Sequence, residues 1–184
     1  MAEIKEERLP EELIRSNIPL ILNAYTDIFS DFDPRPFSER ALSDDFLLEC
    51  KKAAIDKEEG LELVLAVPRN KRSINDELKI KKRLKEHFKK HHLEKEGEIK
   101  KTKKMGWLMI FSGMVLMFIS YLLSSGTLFH NEILQNLALV ITEPAGWFFF
   151  WIGGEKLIYE KKSQEPDKEF YHKMASATIS FRSY

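Results

Sequence analysis

MGWLMIFSGMVLMFISYLLS, residues 105–124, is a run of 20 residues without a charge. That is the length an α-helix needs to cross a hydrocarbon core of ~30 Å. Trp107 lies near its start and Tyr121 near its end, where amphipathic rings favour the two interfaces of a bilayer. Gly106, Ser112 and Gly113 are small enough to admit a second helix at close range. A buried helix of a water-soluble protein is the alternative, and the Lys-rich sequence on its N-terminal side argues against it. The reading of this stretch decides the fold class, because it divides a polar protein from a greasy hairpin.

A second apolar stretch, ILQNLALVITEPAGWFFFWI, follows at residues 133–152. Its middle holds Glu143 and Pro144, and the proline is expected to kink the helix because it lacks a backbone donor. Its end is the aromatic cluster Trp147, Phe148, Phe149, Phe150 and Trp151, a composition suited to an interface. The connection SSGTLFHNE between the spans has neither Lys nor Arg. Lys100, Lys101, Lys103 and Lys104 precede the first span, and Lys156, Lys161 and Lys162 follow the second. The bias of basic residues toward the cytoplasmic side then predicts an inner-membrane protein with both termini cytoplasmic and the hairpin tip outside.

The chain has 184 residues and a formal net charge of +0, with 29 basic and 29 acidic side chains. Only Glu132 and Glu143 carry a charge between residues 105 and 154, so the charges are concentrated in the flanks. One cysteine, Cys50, excludes an intrachain disulfide and fits a reducing compartment. The first residues are charged and lack the apolar core of a secretory signal.

The flanks read as a cytoplasmic α+β domain, a small sheet with two helices built from both chain ends. After a charged segment at residues 1–17, IPLILNA at 18–24 suits a strand or a buried helical turn. Ser43 is positioned to cap a helix over residues 44–55, with Phe46, Leu47, Cys50 and Ala54 on its buried face. Leu61, Leu63, Leu65 and Val67 alternate as a strand that Pro68 ends. Ser73 or Asn75 then starts a helix whose apolar stripe is Leu78, Ile80, Leu84, Phe88 and His91 or His92. Gly97 marks a possible break in it. ASATISF at 175–181 alternates again, and a strand so short needs neighbours. The expected divisions are therefore 18–104 for the domain with its basic juxtamembrane helix, 105–124 and 133–154 for the spans, 125–132 for an external loop, and 155–184 for a tail that returns to the sheet.

Several motifs resemble those of a family of small two-span prokaryotic membrane proteins of uncharacterised function. Ile28-Phe29, Asp33-Pro34, Pro36-Phe37, Arg40 and Leu42 resemble its L-F-x-x-x-D-P-x-P-F-x-x-R-x-L element. His87-Phe88, and Gly146-Trp147, Trp151, Glu155 and Tyr159, resemble further elements of it. The family has Arg-Pro where this chain has Gly153 and Gly154, and a Trp-rich stretch in place of Glu160, Lys161 and Lys162. The resemblance implies the two-span architecture and supplies no activity.

Few residues suggest chemistry. Glu143, next to Pro144, is an ionisable group inside a span and must find a partner, a cavity or a proton. Glu155 is expected to pair with Lys103 or Lys104. Asp33 and Arg40 bracket Pro34, Pro36 and Phe37 and are expected to hold that turn by an ion pair or by backbone hydrogen bonds. His87, His91 and His92 have the spacing of one helical face but lack an HExxH pattern, so no metal site and no cofactor are expected. Lys100, Lys101, Lys103, Lys104, Lys161 and Lys162 are candidate contacts for anionic lipid headgroups, each worth roughly 1 kcal/mol near the surface. Glutamates interleave with the basic run at 79–104, which disfavours nucleic acid. No phosphate loop, dinucleotide fingerprint or nucleophile elbow is present, and no enzyme is expected. The leading expectation is a membrane-anchored protein-interaction or scaffold module that self-associates or binds a protein partner. The alternative is one subunit of a small oligomeric channel or transporter using Glu143.

Overall fold

The structure is a computed structural model, and it describes residues 17–55, 57, 60–126 and 131–184. Residues 1–16 of the expected charged N-terminal segment and residues 127–130 of the expected external loop lie outside these residues. The chain is mostly helical, with one small sheet. Its elements are β1 (Asn17–Ile21), α1 (Asp44–Ala54), β2 (Glu62–Val67), α2 (Ile74–Ser124), α3 (Glu132–Glu155), α4 (Lys161–Ser176) and β3 (Thr178–Ser183). A π-helical turn, Lys156–Glu160, separates α3 from α4. Two compact units divide the residues: 1–93 with 168–184, and 94–167.

The first unit holds the sheet. Its order is β1-β2-β3 and every pair is parallel. β2 lies in the middle and is buried on both faces over Leu63, Val64 and Leu65, as expected of a strand with neighbours on both sides. Leu63 pairs with Ile18 on one side and with Ile179 on the other, and all three are buried. Parallel neighbours cannot be joined by a tight turn and need a crossover. Between β1 and β2 the crossover contains α1. Between β2 and β3 it comprises α2, α3 and α4.

The C-terminal strand therefore joins the sheet of the N-terminal half, with Ala177, Ile179 and Phe181 all buried. Three helical segments cover the core instead of the two expected. Phe46, Cys50 and Ala54 come from α1, and Ile80, Leu84 and Phe88 from α2. Phe170 and Met174 come from α4, a helix in the stretch that the sequence reading left as a tail. Burial pushes the Cys50 thiol up to about 12, which keeps it a protonated apolar side chain. Ser73 precedes α2 and accepts the Asp76 amide at 3.4 Å, so it and not Asn75 is the cap. Leu78 departs from its expected place: it is 61% exposed. It stands two residues from Ile80, about 200° around the helix, and Glu77 occupies the buried position instead.

The second unit is a pair of helical segments. α2 runs through Gly97 without a break. Two helices, Ile74–Ser124 and the continuous helical run Glu132–Ser176, are long and apolar enough to cross a membrane. Pro144 lies inside α3, which continues on both sides of it.

Glycines set the contact between the two segments. A Cβ built on Gly113 would lie 2.7 Å from the Phe150 backbone nitrogen and 2.8 Å from the Gly146 oxygen. One built on Gly153 would lie 2.7 Å from the Gly106 oxygen and 2.8 Å from the Ile110 nitrogen. Gly106 pairs with Gly153, and Gly113 with Gly146, so two backbones touch where side chains would hold them apart. Ser112 is not part of this seam and donates to its own helix at Leu108 O, 2.9 Å away. Ser120 donates to Thr142 Oγ1 at 2.8 Å, and the Gln135 amide donates to Leu123 O, adding two polar pins across the pair.

Two glycines of α2 should respond in opposite senses. Gly97 has nothing within 4 Å of a built Cβ, so Gly97→Ala should stabilise the helix by up to about 1 kcal/mol. Gly113→Leu should lower the thermal midpoint in detergent or abolish the folded helix pair. Equal responses of the two variants, read by circular dichroism, would show that the seam does not hold the pair together.

Candidate functional site

Residues 30–41 form a loop closed at its base by main-chain pairing. Phe29 and Leu42 make an antiparallel bridge, Ser30 N donates to Ala41 O at 2.9 Å, and Ser43 N donates to Ile28 O at 3.0 Å. Inside the loop, Asp33 accepts the Ala41 amide at 2.7 Å and the Arg35 amide at 3.1 Å. Its ion partner is Arg35, at 2.8 Å, and not Arg40. Arg35 and these backbone donors hold the Asp33 carboxyl far below the usual carboxylate range. Arg40 instead donates twice to Ser30 O, at 3.0 and 2.8 Å. The expectation that backbone hydrogen bonds hold this turn is met; an Asp33–Arg40 pair is not formed.

Pro34 and Pro36 are exposed on the loop, and Pro36 O accepts from Glu39 and Arg40. Phe37 turns inward and stacks on Phe29 with ring centroids 5.2 Å apart. Phe32, at the tip, is 98% exposed. A shallow cavity of about 350 Å³ is lined by Arg35, Pro36, Phe37 and Ser38 of the loop together with Asp76 and Lys79 of α2.

A buried polar network, which the sequence reading missed, sits at the start of α2. Tyr25 Oη donates to Glu77 Oε1 at 3.0 Å and accepts the Ser73 amide at 2.9 Å. The Arg72 guanidinium grips both Glu77 oxygens at 2.8 and 3.1 Å. Arg72 holds the Glu77 carboxyl below its ordinary value, with help from the Tyr25 hydroxyl, while burial raises Tyr25. One sign was available in the sequence: Glu77 stands three residues before Ile80, where the stripe calls for an apolar side chain. The network is fully paired, and its role is to hold the corner.

The histidines gather where α2 and α4 pack in the first unit. His87 and His91 rings are 4.2 Å apart, His91 stacks on Tyr171 at 5.4 Å, and His92 lies 4.9 Å from His172. Among the described residues no group of three or more potential metal ligands forms. His87 Nε2 and His92 Nδ1 are buried without a hydrogen-bond partner.

In the second unit, Glu143 and Pro144 are both exposed. Val140 and Trp147, one helical turn to either side of Glu143, are 71% and 60% exposed. Glu143 precedes the seam residue Gly146 by three positions, so it lies at the flank of the helix contact, exposed and outside the glycine seam. Glu155 does not pair with Lys103 or Lys104 as expected; Lys103 and Lys104 are exposed, and the neighbouring Lys156 bonds Glu160 at 2.7 Å. Among the proposed headgroup lysines, Lys100 pairs with Glu96 and Lys161 with Glu165, while Lys101, Lys103, Lys104 and Lys162 project outward. No family model, curated protein or solved structure matches the chain.

The His87 environment predicts an acid-sensitive contact. Burial, the neighbouring His91, and the positive charges of Arg83 and Lys90 lower His87 to about 4, against about 6.5 for a free imidazole. Its neutral form therefore stabilises the fold above pH ~6.5, and that contribution is lost as pH falls toward 4. Amide protection of residues 87–92 and 170–174 should fall over this window. In His87→Phe the fall should be shallower; an unchanged profile would show that His87 is not responsible.

Proposed function

We propose that the chain is a self-associating, two-span anchor of the inner membrane, whose cytoplasmic unit serves as a protein-interaction or scaffold module. The family resemblance stated above agrees with this architecture. The observation that carries the self-association is the place of Glu143. An exposed carboxylate in the middle of an apolar helix meets hydrocarbon unless another protein surface covers it. Such exposure costs a few kcal/mol or more. Packing of copies at Glu143 supplies donors and removes the lipid contact. The braced loop with Phe32 at its tip is the matching contact surface of the other unit. Its groove carries both signs of charge, Arg35 and Lys79 with Asp76, which suits contact with an identical surface.

The sheet supports the proposed topology independently of the basic residues. β2 precedes both apolar helices, β3 follows them, and the two strands are hydrogen-bonded in one sheet. If both helices cross, their flanks must return to the same side, and the Lys-rich flanks name that side as cytoplasmic. In a Cys50→Ala background, a cysteine in place of Ser125 should react with an impermeant thiol reagent in intact cells, and one in place of Ser163 should not. The reverse pattern would overturn the orientation.

The same Glu143 face favours one second reading, an oligomeric channel with the carboxylates inside. Two spans cannot enclose a pore, so this reading needs several copies. In nanodiscs the wild type should carry more than one copy per disc. Glu143→Leu should weaken association by about 0.6–1.7 kcal/mol and Glu143→Gln by less, in keeping with a hydrogen bond between helices. A monomer at every concentration would end both readings. Proton or cation flux in wild-type liposomes, lost in Glu143→Gln, would favour the channel over the scaffold.

A further inference from the structure

The helical run changes its pitch immediately after the aromatic cluster. Gly153 closes the seam, Gly154 is the next residue, and the π-helical turn Lys156–Glu160 follows. A Cβ built on Gly154 meets nothing within 4 Å. Gly154 lines a cavity of about 390 Å³ together with Phe150, Trp151, Glu155, Ile158 and Tyr159. Trp151, Ile158 and Tyr159 are 73%, 62% and 70% exposed. Glu155 makes no ion pair among the described residues, and the adjacent Lys156 bonds Glu160. Widened π turns recur at functional sites.

The chemistry of this lining is selective. Faces of Trp and Tyr attract an alkylammonium through their quadrupoles. A carboxylate beside them adds Coulomb attraction, and an apolar wall accommodates methylene groups. An anion would meet Glu155 and gain nothing. The groove also continues the exposed apolar face that carries Trp147 and Phe148, and it begins where the apolar sequence gives way to charged residues. On the spanning reading, which this inference requires, that is headgroup depth on the cytoplasmic side.

We infer that the groove over Gly154 is a binding site for the ammonium group of a zwitterionic phospholipid, held between the Trp151 and Tyr159 rings with Glu155 as counter-ion. Its ligand is opposite in charge to the anionic headgroups expected at the lysines, so the two sites do not compete for one lipid.

Trp107→Phe with Trp147→Phe leaves Trp151 as the sole tryptophan of the three in the chain. This protein is reconstituted with chain-brominated phosphatidylethanolamine or with chain-brominated phosphatidylglycerol at equal mole fraction. Quenching of Trp151 by the ethanolamine lipid should exceed that by the glycerol lipid by about two- to fivefold, the preference an exposed cation–π contact would give. Glu155→Gln should reduce the ratio, and Gly154→Leu, which fills the groove, should bring it to one. Equal quenching in the unsubstituted groove would overturn the ammonium site and leave the spanning reading intact. Absence of quenching by either lipid is resolved by the reciprocal protein in which Trp107, 63% exposed on the other helix, is the sole tryptophan. If Trp107 is quenched there, protein covers the groove and the lipid site is wrong; if it is not, the helices are not in the bilayer and the spanning reading fails with the site.

Discussion

The pairing of β3 with β2 is the constraint on which the rest depends. A three-stranded parallel sheet has no local route to its own closure, since each neighbour must be reached by a crossover. Here the second crossover contains α2, α3 and α4, and it ends with Thr178 opposite Glu62 and Phe181 opposite Leu65. Closing so long a loop costs entropy that grows slowly with length, roughly as its logarithm. Two apolar helices inside the loop are thus tolerable where a single one would not be. One crossing would leave β3 on the wrong side of a bilayer, so pairing in one sheet demands an even number.

The helical pair is built on the opposite principle from the sheet. The sheet is closed by large apolar side chains, Leu63, Leu65, Ile179 and Phe181. The helices are closed by the absence of side chains at Gly106, Gly113, Gly146 and Gly153. If the pair crosses a bilayer, as proposed, burial of apolar surface gives the helices little reason to associate, and close backbone approach and polar pins such as Ser120–Thr142 take its place. Large aromatic and aliphatic groups are then left outside, among them Trp147, Phe148 and Trp151. A helix pair that spends its small residues on one face must present its bulky ones on the other, and Glu143 is left exposed at the flank of the seam.

What could be read from the sequence divides along physical lines. β2 was legible because the apolar residues Leu61, Leu63, Leu65 and Val67 recur at every second position before Pro68, and α1 because Ser43 and two aspartates stand at its start. The apolar helices were legible from length and charge alone. α4 was not, because KKSQEPDKEF contains a proline and mostly charged residues, and its helicity rests on packing Phe170 and Met174. The misplacement of Leu78 has the same origin: hydrophobicity named it, but the face was set by Ile80, Leu84 and Phe88, and a glutamate took the vacant position. At the braced loop, the motif residues Asp33 and Arg40 were identified and their partners exchanged, because sequence spacing does not say which carbonyl or guanidinium a side chain will reach.

Glu77 shows why a charge can occupy a core position at all. A carboxylate buried alone would take up a proton or unfold its surroundings. Arg72 precedes it by five residues across the turn that starts α2, and Tyr25 approaches from the segment after β1. Both Glu77 oxygens are bonded, and the Tyr25 oxygen both donates and accepts. Arg72 also reaches toward Phe181 O of β3 at 3.5 Å. The network therefore joins the segment after β1, the corner between β2 and α2, and the last strand. A leucine at position 77 would pack there without fixing which of these segments meets which, whereas a bidentate pair has a single geometry. Through Arg72 the last strand of the chain is tied to the same corner that fixes the start of α2.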